Sequence, residues 1–329
     1  MKLIIQIPCL NEENTLPETV ADLPRAIPGI DVIEFMVIDD GSTDKTVEIA
    51  RQLGVEHVIS LGSNRGLATA FRRGVEYALA QGADIVVNTD ADNQYCGADI
   101  AKLVEPVLRN EADMVVGCRP IVDHPEFSPI KKILQLLGSW TLRQISKTTV
   151  RDAASGFRAF SRETCQRIFI HSRFSYCMET LIQAGNSGLR VTSVDIRVNP
   201  KTRESRLFTS IPQYIKKSGL TMVVMFGLYR PGRFFGFLAA PFLVGALFLG
   251  IRFLYLIYWF DEHLPNRTYV PSLILLAVCT IVGALLLALG VISEMLKAQR
   301  RITEETLYQQ RRSQGRNVDL ATKALQRTH

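Results

Sequence analysis

The sequence predicts an α/β protein with a doubly wound sheet, followed by an amphipathic stretch and a hairpin of two transmembrane helices. Three observations predict it. Short apolar runs alternate with helix-period segments from Lys2 to Arg119. Acidic pairs stand directly after two of those runs. From Phe234 to Ile292 the chain is far more apolar than before or after.

The elements follow in order. "KLIIQIP" (2–8) is a short apolar run ended by Pro8, the pattern of a strand buried on both faces of a parallel sheet. "NEENTLPETVADLPR" opens with helix-starting residues and acids, which suit a helix N-terminus. "IEFMVID" (33–39) reads as the second strand and "STDKTVEIARQL" as the helix after it. "HVISL" is a third short strand, and "GLATAFRRGVEYALAQG" (66–82) has helical period with a glycine stop. "ADIVVNTD" is the fourth strand, "GADIAKLVEPVLR" a helix and "ADMVVGCR" the fifth strand. Residues 128–150 read as helical, followed by a polar "RDAASGFRAFSRE", a helix in "SYCMETLIQAGNSG" and a strand in "RVTSVDIRVNP". Strands alternating with helices at this spacing form a doubly wound sheet, whose ligands sit beyond the carboxyl ends of the strands.

"SRLFTSIPQYIKKSGLTMVVMF" (205–226) mixes apolar and basic residues and reads as an interfacial amphipathic stretch interrupted by Pro212. "FFGFLAAPFLVGALFLGI" (234–251) and "VPSLILLAVCTIVGALLLALGVI" (270–292) carry no charge. At ~1.5 Å per residue the second spans about 34 Å, enough for a hydrocarbon core of about 30 Å. Arg230 and Arg233 precede the first span, Lys297, Arg300 and Arg301 follow the second, and the connecting loop has Arg267. The positive-inside rule then places both ends in the cytoplasm and the loop outside. Tyr255, Tyr258 and Trp259 form the outer aromatic belt, and Arg252 snorkels beside them. Met1-Lys2 leads straight into an apolar run too short for a signal peptide, which also predicts a cytoplasmic N-terminal part.

The chain has 38 Lys and Arg against 32 Asp and Glu, a net charge of +6. That balance suits a membrane surface or phosphate-rich substrates. The basic residues lack interleaved aromatics, which disfavours a nucleic-acid partner. Its six cysteines form no C-x-x-C pair and no zinc spacing, and read as thiols in a reducing compartment.

The chemistry concentrates at the strand ends. In "DADNQY", side chains at i and i+2 of an extended segment point the same way. Asp90, Asp92 and Gln94 therefore offer three hard oxygens to one side, a set suited to Mg²⁺ or Mn²⁺. Such an ion keeps positions for diphosphate oxygens and neutralises charge on a departing nucleotide. Capping of a strand end is the competing reading of any lone D-x-D. In "VIDDGSTD", Asp40 can accept hydrogen bonds from a base or ribose, while Gly41 allows a tight turn; an Asx-turn with Thr43 or Asp44 capping the next helix is compatible with both. Neither G-x-G-x-x-G nor G-x-x-x-x-G-K-[ST] occurs, so the motifs of dinucleotide binders and P-loop enzymes are missing.

Taken together, "IPCLNEENTL", "VIDDGSTDKT", "NRGLATAFRRG", "NTDADNQY", "GCR" and "DAASGFRAFSRE" resemble the family 2 glycosyltransferases of the polyprenyl-phosphate branch. The resemblance covers about residues 1–206, and the hairpin resembles members with C-terminal spans. It implies a nucleotide-sugar-binding fold of the GT-A type and an inverting transfer to a polyprenyl phosphate. The donor is a nucleoside-diphosphate sugar, and the acceptor's lipid lies in the bilayer. Pro8, Glu12, Asp40 and Asp90 would line the nucleotide-sugar site; Asp90, Asp92 and Gln94 would hold Mg²⁺ or Mn²⁺ with the diphosphate. Arg119 would reach a phosphate, as would Arg203, Ser205 and Arg206, where arginine stands in place of the family's usual lysine. Asp152 and Arg158 fall in the acceptor region, with Asp152 an orienting residue or transition-state stabiliser beside catalytic Asp92. Glu179 stands where related soluble transferases keep a base, and a structural role is the alternative. A homo-oligomer is implied by the resemblance.

The expected division is a cytoplasmic catalytic domain over 1–204, an interfacial segment over 205–231, two transmembrane helices within 232–292 (about 234–258 and 270–292) and a basic cytoplasmic tail over 293–329. The protein would be an integral plasma-membrane protein. A processive polysaccharide synthase would want more spans and a Q-x-x-R-W signature, which neither Trp140 nor Trp259 completes. An inactive membrane scaffold would not need Asp90, Asp92 and Gln94 intact.

Overall fold

The computed structural model describes residues 1–120, 139, 142–143, 146, 148–170, 176–200, 219–220, 223–224, 226–260 and 270–326. Two compact units result, one of Met1–Ser218 with Glu304–His329 and one of Gly219–Thr303. The expected phosphate ligands Arg203, Ser205 and Arg206, most of the interfacial stretch and the loop with Arg267 lie outside the described residues.

In the first unit β1 (Lys2–Cys9), β2 (Val32–Asp39), β3 (His57–Ser60), β4 (Ile85–Asn88) and β5 (Met114–Cys118) alternate with α1 (Leu16–Asp22), α2 (Thr46–Gln52), α3 (Leu67–Ala80) and α4 (Ile100–Leu108). Then come β6 (Arg158–Ser161), α5 (Arg162–Arg167), α6 (Tyr176–Asn186) and β7 (Val191–Asp195). The sheet order is β3-β2-β1-β4-β6-β5-β7. Strands β3, β2, β1 and β4 are mutually parallel, as are β5 and β7. Strand β6 runs antiparallel between β4 and β5, making the sheet mixed.

Helices on both faces explain the unbroken apolar runs of the central strands. Leu3, Ile4, Ile5 and Ile7 of β1 are all fully buried. Each such side chain contributes roughly 1.5–3 kcal/mol over its exposed state. The first helix begins later than its acidic lead-in: Asn11 takes a left-handed φ of 56°, and Glu12 to Thr15 form a turn before Leu16. Parallel strands β1, β2 and β4 thus deliver their carboxyl ends, Cys9, Asp39 and Asn88, to one edge.

The second unit contains α7 (Pro231–Phe260) and most of α8 (Val270–Gln326), which continues into the first unit from Glu304. Leu243 lies against Gly283, Phe235 against Gly290 and the Gly232 N–H on Glu294, so the helices run antiparallel. Both are long and apolar enough to cross a membrane over Pro231–Tyr258 and Val270–Ser313. Only 6% and 11% of their most apolar stretches is buried, unlike a soluble core helix.

The expected basic tail is helical through Gln326, and its part from Glu304 belongs to the first unit. Tyr308 is buried beneath Arg167, whose guanidinium stands 4.0 Å from the ring centroid. Arg311 covers Phe169 at 4.3 Å and donates to the Ile168 carbonyl at 2.9 Å, beyond the last turn of α5.

Candidate active site

The loops after β1 and β2 interlock. Asn11 N–H donates to Ser42 Oγ at 2.8 Å, and Thr43 N–H returns a bond to Asn11 Oδ1 at 2.8 Å. Glu12 N–H donates to Thr46 Oγ1, and the buried Glu12 carboxylate accepts from Thr15 Oγ1 at 2.7 Å. Pro8 is buried inside β1, opposite Ile38. Asp39 takes Ser42 N–H at 2.8 Å and Ser60 Oγ–H at 2.7 Å, and the expected Asx-turn is made by Asp44, whose Oδ1 accepts Thr46 N–H at 3.0 Å at the start of α2. Asp40 was expected to face a base or ribose. Both of its oxygens already accept backbone N–H groups, from Arg65 at 2.7 Å and Gly66 at 2.9 Å. Its carboxylate therefore shapes the loop entering α3 and keeps lone pairs beyond these two bonds. Gly41 between these loops has φ 81°, and a side chain there would run into the backbone of Ser63 and Asn64.

Beyond β4 the chain makes a tight acidic turn. Asp90 and Asp92 are half-buried, and the Ala91 carbonyl between them accepts from Thr19 Oγ1 of α1 at 3.0 Å. Asn93 takes a left-handed φ of 52°, and Gln94 N–H donates to Asp92 Oδ1 at 3.3 Å. Among the described residues no three His, Cys, Asp or Glu side chains converge as a protein cage for a metal. A Mg²⁺ or Mn²⁺ that serves a diphosphate needs only one or two carboxylates, the substrate and water completing the shell. The hard-oxygen set of Asp90, Asp92 and Gln94 fits that requirement.

A buried polar chain holds the turn's other side. Gln6 Nε2 donates to Asn88 Oδ1 at 2.9 Å, and Asn88 Nδ2 donates to the Gly156 carbonyl at 2.9 Å and to Tyr176 Oη at 3.0 Å. Gly156 N–H donates to Tyr95 Oη at 3.2 Å. Tyr95 stacks on Phe157 at 4.9 Å and Tyr176 on Phe71 at 4.2 Å. Gly156 has to be small: a Cβ there would lie 2.6 Å from Tyr176 Oη and 3.2 Å from Asp90 Oδ1. Burial first, and the Asp90 charge with it, pushes both phenols up, so they stay protonated neighbours of the turn. Sequence reasoning did not single out Tyr95, Gly156 or Tyr176; "SGF" beside a predicted site was the available signal.

Arg119 follows β5. Its guanidinium grips Asp152, Nε to Oδ2 at 2.7 Å and Nη2 to Oδ1 at 3.1 Å. Burial opposes the Arg119 charge, and the Asp152 carboxylate overcomes that and pushes its pKa further up. Asp152 is fully buried, whereas the Arg119 side chain keeps 17% exposure.

Arg158, expected in the acceptor region, is fully buried and donates to the carbonyls of Ser155, Cys177 and Ala153 and to Thr180 Oγ1 at 2.7–2.8 Å. It fastens the 152–157 loop to α6 from below. Glu179 is buried in the first turn of α6 and accepts from Gln183 Nε2 at 3.3 Å.

Residues 4–169 match the family model described as Glycosyl transferase family 2. A UDP-N-acetylglucosamine–dolichyl-phosphate N-acetylglucosaminyltransferase of Methanococcus voltae is 30% identical over 213 residues, covering 58% of this chain and 83% of that one. An undecaprenyl-phosphate mannosyltransferase of Micrococcus luteus is 28% identical over 206 residues, covering 60% and 83%. Among solved structures, glucosyl-3-phosphoglycerate synthase from Mycobacterium tuberculosis in complex with Mn²⁺, uridine diphosphate and phosphoglyceric acid aligns with a TM-score of 0.54. That alignment has 20% identity and covers 69% of this chain and 78% of the other.

Proposed function

The chain belongs to glycosyl transferase family 2, and we propose that it transfers a sugar from a nucleoside diphosphate to a polyprenyl phosphate at the cytoplasmic face of the membrane, with inversion. The observation that carries the reading is the acidic turn at the carboxyl end of β4, with Asp90 beside the Arg119–Asp152 pair. The relatives named for dolichyl and undecaprenyl phosphate support the acceptor class, and the antiparallel pair of apolar helices supports a membrane location.

In this reading the interlocked loops after β1 and β2, with Pro8, Glu12 and Asp40, bind the nucleotide. Asp90, Asp92 and Gln94 would hold Mg²⁺ or Mn²⁺, which supplies charge neutralisation for the departing diphosphate. Arg119 faces a phosphate with the side of its guanidinium that Asp152 leaves uncovered; among the described residues its Nη1 makes no hydrogen bond. Arg203, Ser205 and Arg206 would supply further phosphate contacts.

The acceptor removes the need for a general base. A phosphate monoester has a second pKa near ~6 and is mostly dianionic at pH 7. Asp152, fully buried and gripped at two points, aims Arg119 rather than taking a proton. Glu179 is equally enclosed and reads as a support of α6. Catalysis then rests on positioning and on stabilising the leaving diphosphate.

The test is sugar transfer by the full chain purified in detergent. Undecaprenyl or dolichyl phosphate is supplied with a panel of UDP- and GDP-sugars and Mg²⁺ or Mn²⁺. Lipid-linked product from one donor, lost with EDTA and with Asp92→Ala, is expected. No transfer and no nucleotide binding would overturn the reading.

A further inference from the structure

The acidic turn is held by a segment far away in sequence. After β7 the chain runs antiparallel to residues 94–96: Cys96 N–H donates to the Arg197 carbonyl at 3.4 Å, Tyr95 bridges Val198, and Asn199 N–H donates to the Gln94 carbonyl at 2.9 Å. The ladder is anchored at one end by Asp99, which is fully buried. It accepts the Arg197 backbone N–H at 2.7 Å and the Arg197 guanidinium at 2.8 Å, together with Lys102 Nζ at 2.9 Å. At the other end the Asn199 carboxamide reaches the Asn93 carbonyl at 3.1 Å, with longer contacts to Asn93 Oδ1 and the Tyr95 carbonyl, both at 3.4 Å.

Asn93 is the residue this support reaches. Its φ of 52° lies in the left-handed region, which residues other than glycine visit at a cost that is smaller for asparagine but not zero. It stands between Asp92 and Gln94, so its dihedrals decide whether those two side chains address one point. If Asn93 relaxed to an extended conformation, the Gln94 N–H bond to Asp92 would break and the orientation of the two side chains would change. Thr19 fixes only the other side of the turn, at Ala91.

We propose that Asn199 is a positioning residue: it holds Asn93 in its left-handed conformation and so sets Asp92 and Gln94 for a divalent cation. The inference rests on the metal reading of the acidic turn given above. Partners that orient metal ligands from outside the coordination sphere typically contribute about ten- to a hundredfold in metal affinity. Asn199 would act at this range without touching cation or substrate.

The experiment titrates Mn²⁺ into the full chain in detergent with UDP or GDP present and follows free Mn²⁺ by electron paramagnetic resonance. Thermal unfolding of every variant is recorded in parallel. Asn199→Ala is expected to weaken Mn²⁺ by about ten- to a hundredfold at an unchanged melting temperature. Adding Asn93→Gly to it should recover most of the loss, because glycine adopts the positive φ unaided. Asn93→Val, whose branched side chain resists that conformation, should weaken Mn²⁺ even with Asn199 intact. Asp92→Ala serves as the reference for the metal reading. If Asp92→Ala loses Mn²⁺ while Asn199→Ala and Asn93→Val bind it like the parent, the positioning role is overturned and the metal reading stands. If Asp92→Ala binds like the parent, both fall. A joint drop in affinity and melting temperature that Asn93→Gly does not recover would make Asn199 a structural contact and also overturn the role.

Discussion

Arg119 and Asp152 face each other as a two-point ion pair whose carboxylate is sealed from solvent and whose guanidinium is not. A sealed acid bound at both oxygens is poorly placed to exchange protons, so its value lies in aiming the cation. A charge-assisted bond of this kind is worth about 1.5–3 kcal/mol. Asp152→Asn should therefore lower kcat/KM by roughly ten- to a hundredfold. The acid limb of the pH–rate profile should stay near the acceptor phosphate's pKa of about 6. Disappearance of that limb in the variant would instead make Asp152 the base.

Gly156→Ala should disturb the acidic turn directly. The added methyl would sit 2.6 Å from Tyr176 Oη and 3.2 Å from Asp90 Oδ1. Overpacking of this kind costs about 1–3 kcal/mol. Transfer activity should fall sharply, and Tyr176→Phe in the same chain should restore part of it by removing the obstructing oxygen. Unaltered activity in Gly156→Ala would mean the loop yields freely.

Arg158→Met separates a support from a ligand. The guanidinium satisfies the carbonyls of Ser155, Cys177 and Ala153 inside the fold. Each buried acceptor left bare costs about 1–3 kcal/mol. The variant should lose several degrees of melting temperature or fail to accumulate. A variant that melts normally but has a raised acceptor KM would return Arg158 to the acceptor site.

The Asp99 clamp gives a pH signature. Burial works against the Asp99 charge, and the bonds from Arg197 and Lys102 overcome it, bringing the carboxyl from an ordinary 3.8 down to about 2. A depressed acid stabilises the fold above its unfolded pKa and loses that contribution as pH falls through the folded one. The gap in urea midpoint between the parent and Asp99→Asn should hold from neutral pH down to about pH 4 and narrow towards about pH 2. A gap that widened on acidification would contradict the clamp.

Parallel strands β1 to β5 were legible because each is a short apolar run followed by a helix-period segment, and the acidic turn was legible because its ligands are neighbours in sequence. Strand β6 was not: "RAFS" is four residues inside a polar stretch, and its fully buried arginine breaks the apolar pattern that marks a core strand. Asp40 and Arg158 show the same limit at the site. Their residue types matched the expected chemistry, yet backbone groups distant in the chain, from Arg65 and Gly66 or from Cys177, already claim them. Asn199 acts across more than a hundred residues, and nothing in "IRVNP" announces its partner.

The reversed strand also governs how the protein can be made. Strands β4 and β5 do not pair with each other; each pairs with β6, which begins at Arg158, whereas β5 ends at Cys118. While the ribosome adds the intervening residues, the β4 edge of the sheet stands open and β5, whose partners β6 and β7 both come later, has no strand to pair with; such unpaired backbone recruits strands from other chains. Until β6 slots between them, the nascent protein has the interlocked loops after β1 and β2 but not the 152–157 segment beside Asp90. Catalytic competence therefore arrives late in synthesis, and chains stalled before Ser161 should be the aggregation-prone ones.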